Sequence, residues 1–142
     1  TKHNGTINKF IGDAIMVLYG APIRQNLSTQ EQAILSVKTA IEMQETIKSS
    51  SDQRLEGLLV GIGISTGFSV VGNIGARRHK DYTAIGDKIN LAARLQGKAE
   101  AFEIIVDQKT KEYCEDKFEF DALEPFQVKG KQETIRAFKV NY

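Results

Sequence analysis

The chain has 142 residues, with 19 basic and 18 acidic side chains and a formal charge of +1, a length that suits one domain. Such a balanced charge argues against nucleic-acid binding or adsorption to an anionic membrane as the main role. The hydrophobic fraction of 41% is too high for a disordered chain, and the single cysteine, Cys114, excludes an internal disulfide and favours a reducing, cytoplasmic location.

Two short β-branched runs near the start of the chain predict a β-hairpin. Thr6–Phe10 and Ala14–Tyr19 each have the composition of a strand, and Gly12 and Asp13 between them suit a tight turn. The turn therefore places a carboxylate at the tip of the hairpin.

A long helix is predicted to follow, ending at about Lys48. Ser28 and Glu31 have the spacing of a capping box, in which each side chain accepts a hydrogen bond from the other residue's backbone amide. The apolar residues after Glu31 recur with helical period, which indicates an amphipathic helix with one buried face.

Residues 58–76 carry no charge over 19 positions, which raises the question of a membrane span. Five glycines and several polar side chains interrupt the segment, so we expect a buried β-hairpin with Val70 and Val71 in its second strand. In the first strand, Gly61, Gly63 and Ser65 form a face without bulk, which a partner chain, a ligand or a packed helix must approach closely.

The second half of the chain alternates short strands with two further helices. Asp87 is expected to cap a helix from Lys88 to about Ala99, and Asp107 a short helix to about Cys114. The buried side of the first of these helices is expected to hold Ile89, Ala92, Ala93 and Leu95. The strands are expected at residues 82–85, 104–106, 118–120, 126–128 and 134–142. Interleaved strands and helices predict an α+β or α/β layer fold.

Each polar feature taken alone has an ordinary structural explanation. Asp13 suits a turn that hydrogen-bonds its own backbone, and Lys9 suits a charge on an edge strand. Asn90 and Arg94 are four residues apart, so they share one helix face that solvent can cover. Lys129 lies in a basic turn. Only in combination do these residues indicate a chemical role.

Four segments in combination resemble the catalytic domain of class III nucleotidyl cyclases. They are the metal segment at 4–16, one glycine-rich segment in two parts at 61–67 and 72–75, the nucleotide-binding segment at 81–95 and the C-terminal turn at 128–131. The resemblance covers nearly the whole chain, in order and at the family's spacing. It implies a class III nucleotidyl cyclase fold, a ferredoxin-like α/β sandwich of α+β class with helices packed on a mostly antiparallel sheet.

The resemblance also implies roles for individual residues. Asp13 matches the second of two aspartates that bind two divalent ions, Mg²⁺ or Mn²⁺. Asn90 matches the residue that orients the ribose, and Arg94 matches the residue that contacts the phosphate in the transition state. Lys129 matches a lysine that pairs with the terminal phosphates.

Two further positions indicate which base is bound. Lys9 can donate to N1 of adenine, and the hydroxyl of Thr83 can accept from its N6 amino group. Adenylyl members of the family carry Lys at the first position and Asp or Thr at the second, whereas guanylyl members carry Glu and Cys. The resemblance therefore implies ATP as the substrate, with 3′,5′-cyclic AMP and pyrophosphate as products, in intracellular signalling.

One family feature is not found within the 142 residues. The family's domain begins with a strand that carries the first metal aspartate and lies centrally in the sheet. We therefore expect residues 1–142 to be the C-terminal two-thirds of a single cyclase domain, N-terminally truncated, with an incomplete sheet and little activity by themselves. The other aspartate of the metal pair, the family's first, is expected upstream of Thr1.

The expected partners follow from the same resemblance. It implies a homodimer with shared active sites and an upstream regulatory domain in the full protein, with no nucleic-acid partner. No membrane segment is expected in this chain, and a membrane tether elsewhere in the parent protein stays compatible with it. The alternative function is a catalytically silent nucleotide-binding or dimerisation module of a cyclase-like protein.

Overall fold

The computed structural model describes residues 3–21, 26–74, 81–127 and 133–142. The described helices are α1 (Thr29–Ser49), α2 (Asp87–Lys98) and α3 (Gln108–Cys114). The described strands are β1 (Thr6–Ile11), β2 (Ala14–Leu18), β3 (Ile62–Ile64), β4 (Val70–Ile74), β5 (Asp81–Ile85), β6 (Ile104–Asp107), β7 (Glu119–Ala122), β8 (Phe126–Gln127), β9 (Thr134–Ile135) and β10 (Ala137–Asn141).

Strands β1 and β2 form the predicted antiparallel hairpin. Gly12 in its two-residue turn has a φ of +57°, a conformation that glycine adopts without steric cost. The pairing register shifts between Ile7 and Lys9, because Ile7 faces Val17 while Lys9 faces Met16. In a regular strand, residues two positions apart point to the same face. Because of this irregularity, Lys9 lies on the face opposite Ile7.

Helix α1 begins with the predicted capping box. The backbone amide of Ser28 donates to the Glu31 carboxylate at 2.6 Å, and the amide of Glu31 donates to the Ser28 hydroxyl at 3.1 Å. The face of α1 that packs into the core is buried and consists of Ala33, Val37, Ala40 and Gln44. The helix thus follows the sequence prediction in both its start and its buried face.

The central sheet has the strand order β3-β6-β10-β7, and only its β3–β6 pair is parallel. All four residues of β6 are buried. Ile104 and Val106 pack in the cluster that includes α1, whereas Ile105 packs with Leu95 of α2. The sheet is therefore covered by α1 and α3 on one side and by α2 on the other.

The predicted hairpin within residues 58–76 is wrong. Strand β3 pairs with β6, about 40 residues further along the chain, whereas β4 pairs with β5 in a separate two-stranded sheet. Glycine punctuation located both strands correctly. It could not show the partner of each strand, because pairing depends on distant segments.

A packed helix explains the small-residue face of β3. A Cβ on Gly61 would lie 2.8 Å from the carbonyl oxygen of Ala99, and a Cβ on Gly63 would collide with the backbone at Ala92 and Gln96. Of the three possibilities left open by the sequence, the described contacts support the helix, which is α2. The two glycines allow α2 to lie directly on the strand.

Helix α2 differs from the prediction at its start and on one side. Gly86 occupies the N-cap position and Asp87 is the first helical residue, without a side-chain cap hydrogen bond. Ala93, predicted to be buried, is exposed, whereas Leu95 is fully buried. Ala93 lies outside the stripe that faces β3, because helical period places its neighbours Ala92 and Leu95 there instead.

The C-terminal elements follow the prediction, except that the last predicted strand is two strands in the structure. Asp107 caps α3 as expected, with its side chain accepting from the backbone amide of Thr110. The strand predicted over residues 134–142 is divided at Arg136. Strand β9 pairs with β8 and β10 joins the central sheet, so the chain changes sheets at this point.

Candidate functional site

Asp13 and Lys9 are both carried by the first hairpin. Asp13 is exposed in the turn between β1 and β2, and Lys9 is exposed on β1. Lys9 shares its hairpin face with Met16, the residue it pairs with, and with Leu18, which is two positions from Met16 on β2. The hairpin therefore positions an acid at its tip and a long basic side chain on the strand leading to it.

Thr83 belongs to β5, which packs beside β1. The backbone of Thr83 lies opposite Gly72 in the β4–β5 pair. The two predicted base-reading positions are thus carried by neighbouring strands, although they are far apart in sequence.

Helix α2 presents Asn90 and Arg94 together. Both residues are exposed, and their separation of four places them one above the other on the helix surface. Leu95 on the opposite side is fully buried against β6. The packing of α2 on the sheet therefore aims a polar amide and a permanent cation at solvent from one rigid element.

The structure does not locate every predicted site residue. Lys129 lies outside the described residues, and so do residues 75–80 between β4 and β5. The geometry of the site is therefore that of the hairpin, β5 and α2.

Asp13 is the carboxylate that the hairpin offers to a metal ion. Within the described ranges, no group of three or more histidine, cysteine, aspartate or glutamate side chains could hold a metal ion. A hard ion such as Mg²⁺ can be bound through one or two carboxylates together with substrate phosphates and water. An exposed carboxylate at a turn tip fits one position in such a ligand set, with the nucleotide supplying others.

The sequence prediction missed the contacts that hold the first turn of α2. The ammonium group of Lys88 lies 3.3 Å from Oδ2 of Asp107, whose side chain is only 4% exposed. The hydroxyl of Ser65 donates to the backbone carbonyl of Lys88. The sequence indicates Asp107 only as a helix cap, and nothing local connects it to a lysine 19 residues away.

A shallow cleft of about 350 Å³ lies beside this ion pair. It is bordered by both signs of charge, with Lys109 and Arg136 near Glu112 and Glu133. A mixed lining of exposed side chains gives no preference for one class of ligand.

Among the helices of the described ranges, none is long and apolar enough to cross a membrane.

Comparison with known proteins identifies the family. The sequence model for the adenylate and guanylate cyclase catalytic domain matches residues 2–141. The chain is 34% identical to an adenylate cyclase of Dictyostelium discoideum described as terminal-differentiation specific, and 29% identical to adenylate cyclase 1 of Rhizobium meliloti. These matches cover 99% and 97% of this chain but 7% and 21% of the two relatives, so the chain spans only a small part of their length.

Solved structures of cyclases have the same fold. The adenylyl cyclase CyaB from P. aeruginosa superimposes with a TM-score of 0.88 at 34% identity, over 99% of this chain and 74% of that one. The guanylyl cyclase Cya2 gives a TM-score of 0.86 at 33% identity, over 98% of this chain and 71% of that one. The chain therefore belongs to the adenylate and guanylate cyclase catalytic domain family and has the class III nucleotidyl cyclase fold.

Proposed function

We propose that this domain, in its full-length protein, converts ATP to 3′,5′-cyclic AMP and pyrophosphate. The observation that carries the proposal is the placement of Asn90 and Arg94 on the exposed face of α2, in a chain of the cyclase family. Asp13, in the turn of the β1–β2 hairpin, is proposed to add a metal-binding carboxylate. Lys129 is proposed to pair with the terminal phosphates.

The roles follow from the charge that develops when the ribose 3′-hydroxyl attacks the α-phosphate. Arg94 offers a planar cation that stabilises added charge on the phosphate, and Asn90 offers an amide that orients the ribose. Two Mg²⁺ or Mn²⁺ ions, with Asp13 as one ligand, would supply activation of the hydroxyl and neutralisation of the triphosphate.

Base selection is assigned to Lys9 and Thr83, because overall similarity does not decide it. An adenylyl and a guanylyl cyclase match this chain almost equally, at 34% and 33% identity. Lys9 donates and the Thr83 hydroxyl can accept, which complements N1 and N6 of adenine. This complementarity supports ATP as the substrate.

We further propose that residues 1–142 form the C-terminal two-thirds of the domain. Within the described sheet, β3 pairs on one side only, with β6, and β2 pairs only with β1. A strand carrying the other metal aspartate would have such an edge to pair with, and pairing with β2 would bring it beside the hairpin that carries Asp13. On this proposal, residues 1–142 alone make negligible cyclic AMP, because the second metal ion has no anchor.

A homodimer with shared sites is also proposed. Apolar side chains remain exposed on the hairpin, on the β4–β5 sheet and just before it; they include Ile7, Phe10, Ile15, Phe68, Val70 and Ile85. Phe68 is fully exposed, and exposed large apolar side chains in such number are typical of an interface. A two-fold arrangement would cover the same surface on both copies.

The test is the reaction itself. The purified full-length protein is incubated with ATP and with Mg²⁺ or Mn²⁺, and cyclic AMP and pyrophosphate are quantified. We expect both products in equal amounts, and their loss in Asp13→Ala. Nucleotide binding without product in either metal would contradict the proposal. It would favour the alternative of a catalytically silent nucleotide-binding or dimerisation module.

A further inference from the structure

The first turn of α2 is held by groups that the proposed chemistry does not use. The Lys88 ammonium reaches Asp107 at 3.3 Å, and the Lys88 carbonyl accepts from Ser65. Gly67 makes room for the lysine stem, because a Cβ there would lie 2.7 Å from Cγ and Cε of Lys88. Both the backbone and the side chain of Lys88 are therefore restrained by the loop after β3 and by the end of β6.

Asp107 offers the lysine one defined partner atom. Its Oδ1 accepts from the backbone amide of Thr110 at 2.9 Å and from the Thr110 hydroxyl at 2.6 Å, which leaves Oδ2 for Lys88. The Thr110 hydroxyl is in turn 2.7 Å from that of Thr66. A buried carboxylate with both oxygens engaged cannot rotate freely, so the ammonium is drawn to one place.

The rest of α2 has a different kind of support. Its middle and C-terminal end rest on Gly61 and Gly63, and Leu95 is buried in the core. Its N-terminus has no side-chain cap hydrogen bond. Apolar packing resists separation of the helix from the sheet but allows small rotations, so the contacts at Lys88 restrain the end that packing leaves least defined.

We propose that the Lys88–Asp107 ion pair is a positioning pair, which sets the rotation and axial position of the helix that carries Asn90 and Arg94. Lys88 lies two residues before Asn90 and six before Arg94 on the same stiff element. A helix residue occupies about 100° of rotation and 1.5 Å of rise, so a small slip at the first turn moves both side chains away from a fixed nucleotide. The inference rests on the roles proposed above for Asn90 and Arg94.

The test is Asp107→Asn in the full-length protein. Asparagine keeps an oxygen for Thr110 but presents an amide, which donates rather than accepts, to Lys88. We expect faster hydrogen exchange of the amides in residues 87–94, and a kcat lowered roughly tenfold to a hundredfold with little change in KM. Lys88→Met removes the other partner and is expected to have the same effects.

Lys111→Met is the matched control. It breaks a Lys–carboxylate pair of 2.6 Å with Glu115 on α3, which does not involve α2. We expect unchanged exchange in residues 87–94 and unchanged kcat. If Lys111→Met lost as much activity as Asp107→Asn, the removal of any ion pair would lower activity by destabilising the protein. That result would overturn the proposal.

A background of Arg94→Ala distinguishes positioning from an independent effect. If the pair acts through the position of α2, Asp107→Asn should lower kcat much less in Arg94→Ala than in the wild type. Equal factors in both backgrounds, or unchanged exchange in residues 87–94, would overturn the inference. A wild-type protein that makes no cyclic nucleotide would instead remove the proposed function, and the exchange measurement would still decide whether the pair holds α2.

Discussion

On α2, the availability of Arg94 to a ligand depends on the burial of the residue next to it, Leu95. Arg94 is exposed, while Leu95 beside it is completely buried. The buried residue fixes the helix to the sheet and the exposed one is left for a ligand. At the residue scale, burial thus separates the side chains that build the domain from those available for chemistry.

Arg94→Ala is expected to lower kcat by roughly 10²–10³ with a smaller effect on KM, because the guanidinium acts mainly on charge that develops in the transition state. Steady-state kinetics on the full-length protein measures the change. Arg54→Ala serves as the control, because Arg54 is an exposed arginine paired with Asp52 in a loop. A raised KM with unchanged kcat would make Arg94 a binding residue only.

The base-reading pair predicts a preference for ATP over GTP. Guanine presents a donor at N1 and an acceptor at O6, so Lys9 and Thr83 would meet mismatched groups, each costing about 1–3 kcal/mol. We expect discrimination of roughly 10²–10⁴ in kcat/KM. Lys9→Glu combined with Thr83→Cys should lower ATP use sharply and relax or invert the preference, with some loss of total activity. Equal use of both nucleotides by the wild type would remove these residues from base selection.

Cys114 predicts a loss of stability at alkaline pH. Complete burial raises the pKa of its thiol from 9.0 to about 11, so the native state keeps a proton that the unfolded state releases. The protonated thiol therefore contributes to the free energy of unfolding. This contribution is fully present below pH 9 and is lost as the pH rises to about 11, and it amounts to about 2–3 kcal/mol. Denaturant unfolding between pH 8 and 11 should show a smaller pH dependence for Cys114→Ala. Parallel curves for the two proteins would contradict the prediction.

At the scale of elements, the contact between α2 and β3 determines where the site helix lies. The contact depends on the absence of side chains at two alternate positions, Gly63 in β3 and Gly61 just before it. The strand in turn is held by parallel pairing with β6. Three elements from separate parts of the sequence are thus needed to place the helix face that carries Asn90 and Arg94.

Gly63→Ala is expected to destabilise the domain, because its Cβ would collide with helix backbone that cannot rotate away. Overpacking of this kind typically costs about 1–3 kcal/mol, and activity should fall as α2 is displaced. Gly72→Ala is the control, since a Cβ at Gly72 meets nothing within 4 Å. Urea unfolding of the three proteins measures the difference. Equal stability of both variants would show that α2 adjusts without cost.

At the scale of the whole molecule, the described chain leaves edges and apolar surfaces that a larger assembly would use. The central sheet ends at β3 on one side, and the β1–β2 hairpin carries exposed apolar residues such as Phe10. Asp13 and Arg94 lie on different elements. A site shared between two copies would bring such residues to one nucleotide from opposite chains.

Mixing two impaired variants tests the shared site. The Asp13→Ala full-length protein is expected to make no product, and Arg94→Ala to keep only about a hundredth to a thousandth of wild-type kcat. Their mixture should regain about a quarter of wild-type activity, because half of randomly paired dimers carry one intact site. The measurement is cyclic AMP production after subunit exchange. No recovery despite demonstrated exchange would contradict a site built from both chains.

Much of the fold could be predicted because its signals are local. The capping box of Ser28 and Glu31, the turn at Gly12 and Asp13, and the Asp107 cap depend on neighbouring residues, and each was confirmed. The family resemblance was likewise confirmed, because it depends on ordered motifs along the chain. The roles of the six site residues stay predictions, since their chemistry was not observed.

The sequence by itself determined the family, most of the elements and the residues that bear the candidate chemistry. The tertiary structure decided that β3 pairs with β6 rather than with β4, that a helix lies on Gly63, and that Lys88 meets Asp107. The physical reason is range: turns, caps and helical period act over a few residues, whereas strand pairing and buried ion pairs depend on segments that meet only when the whole chain folds.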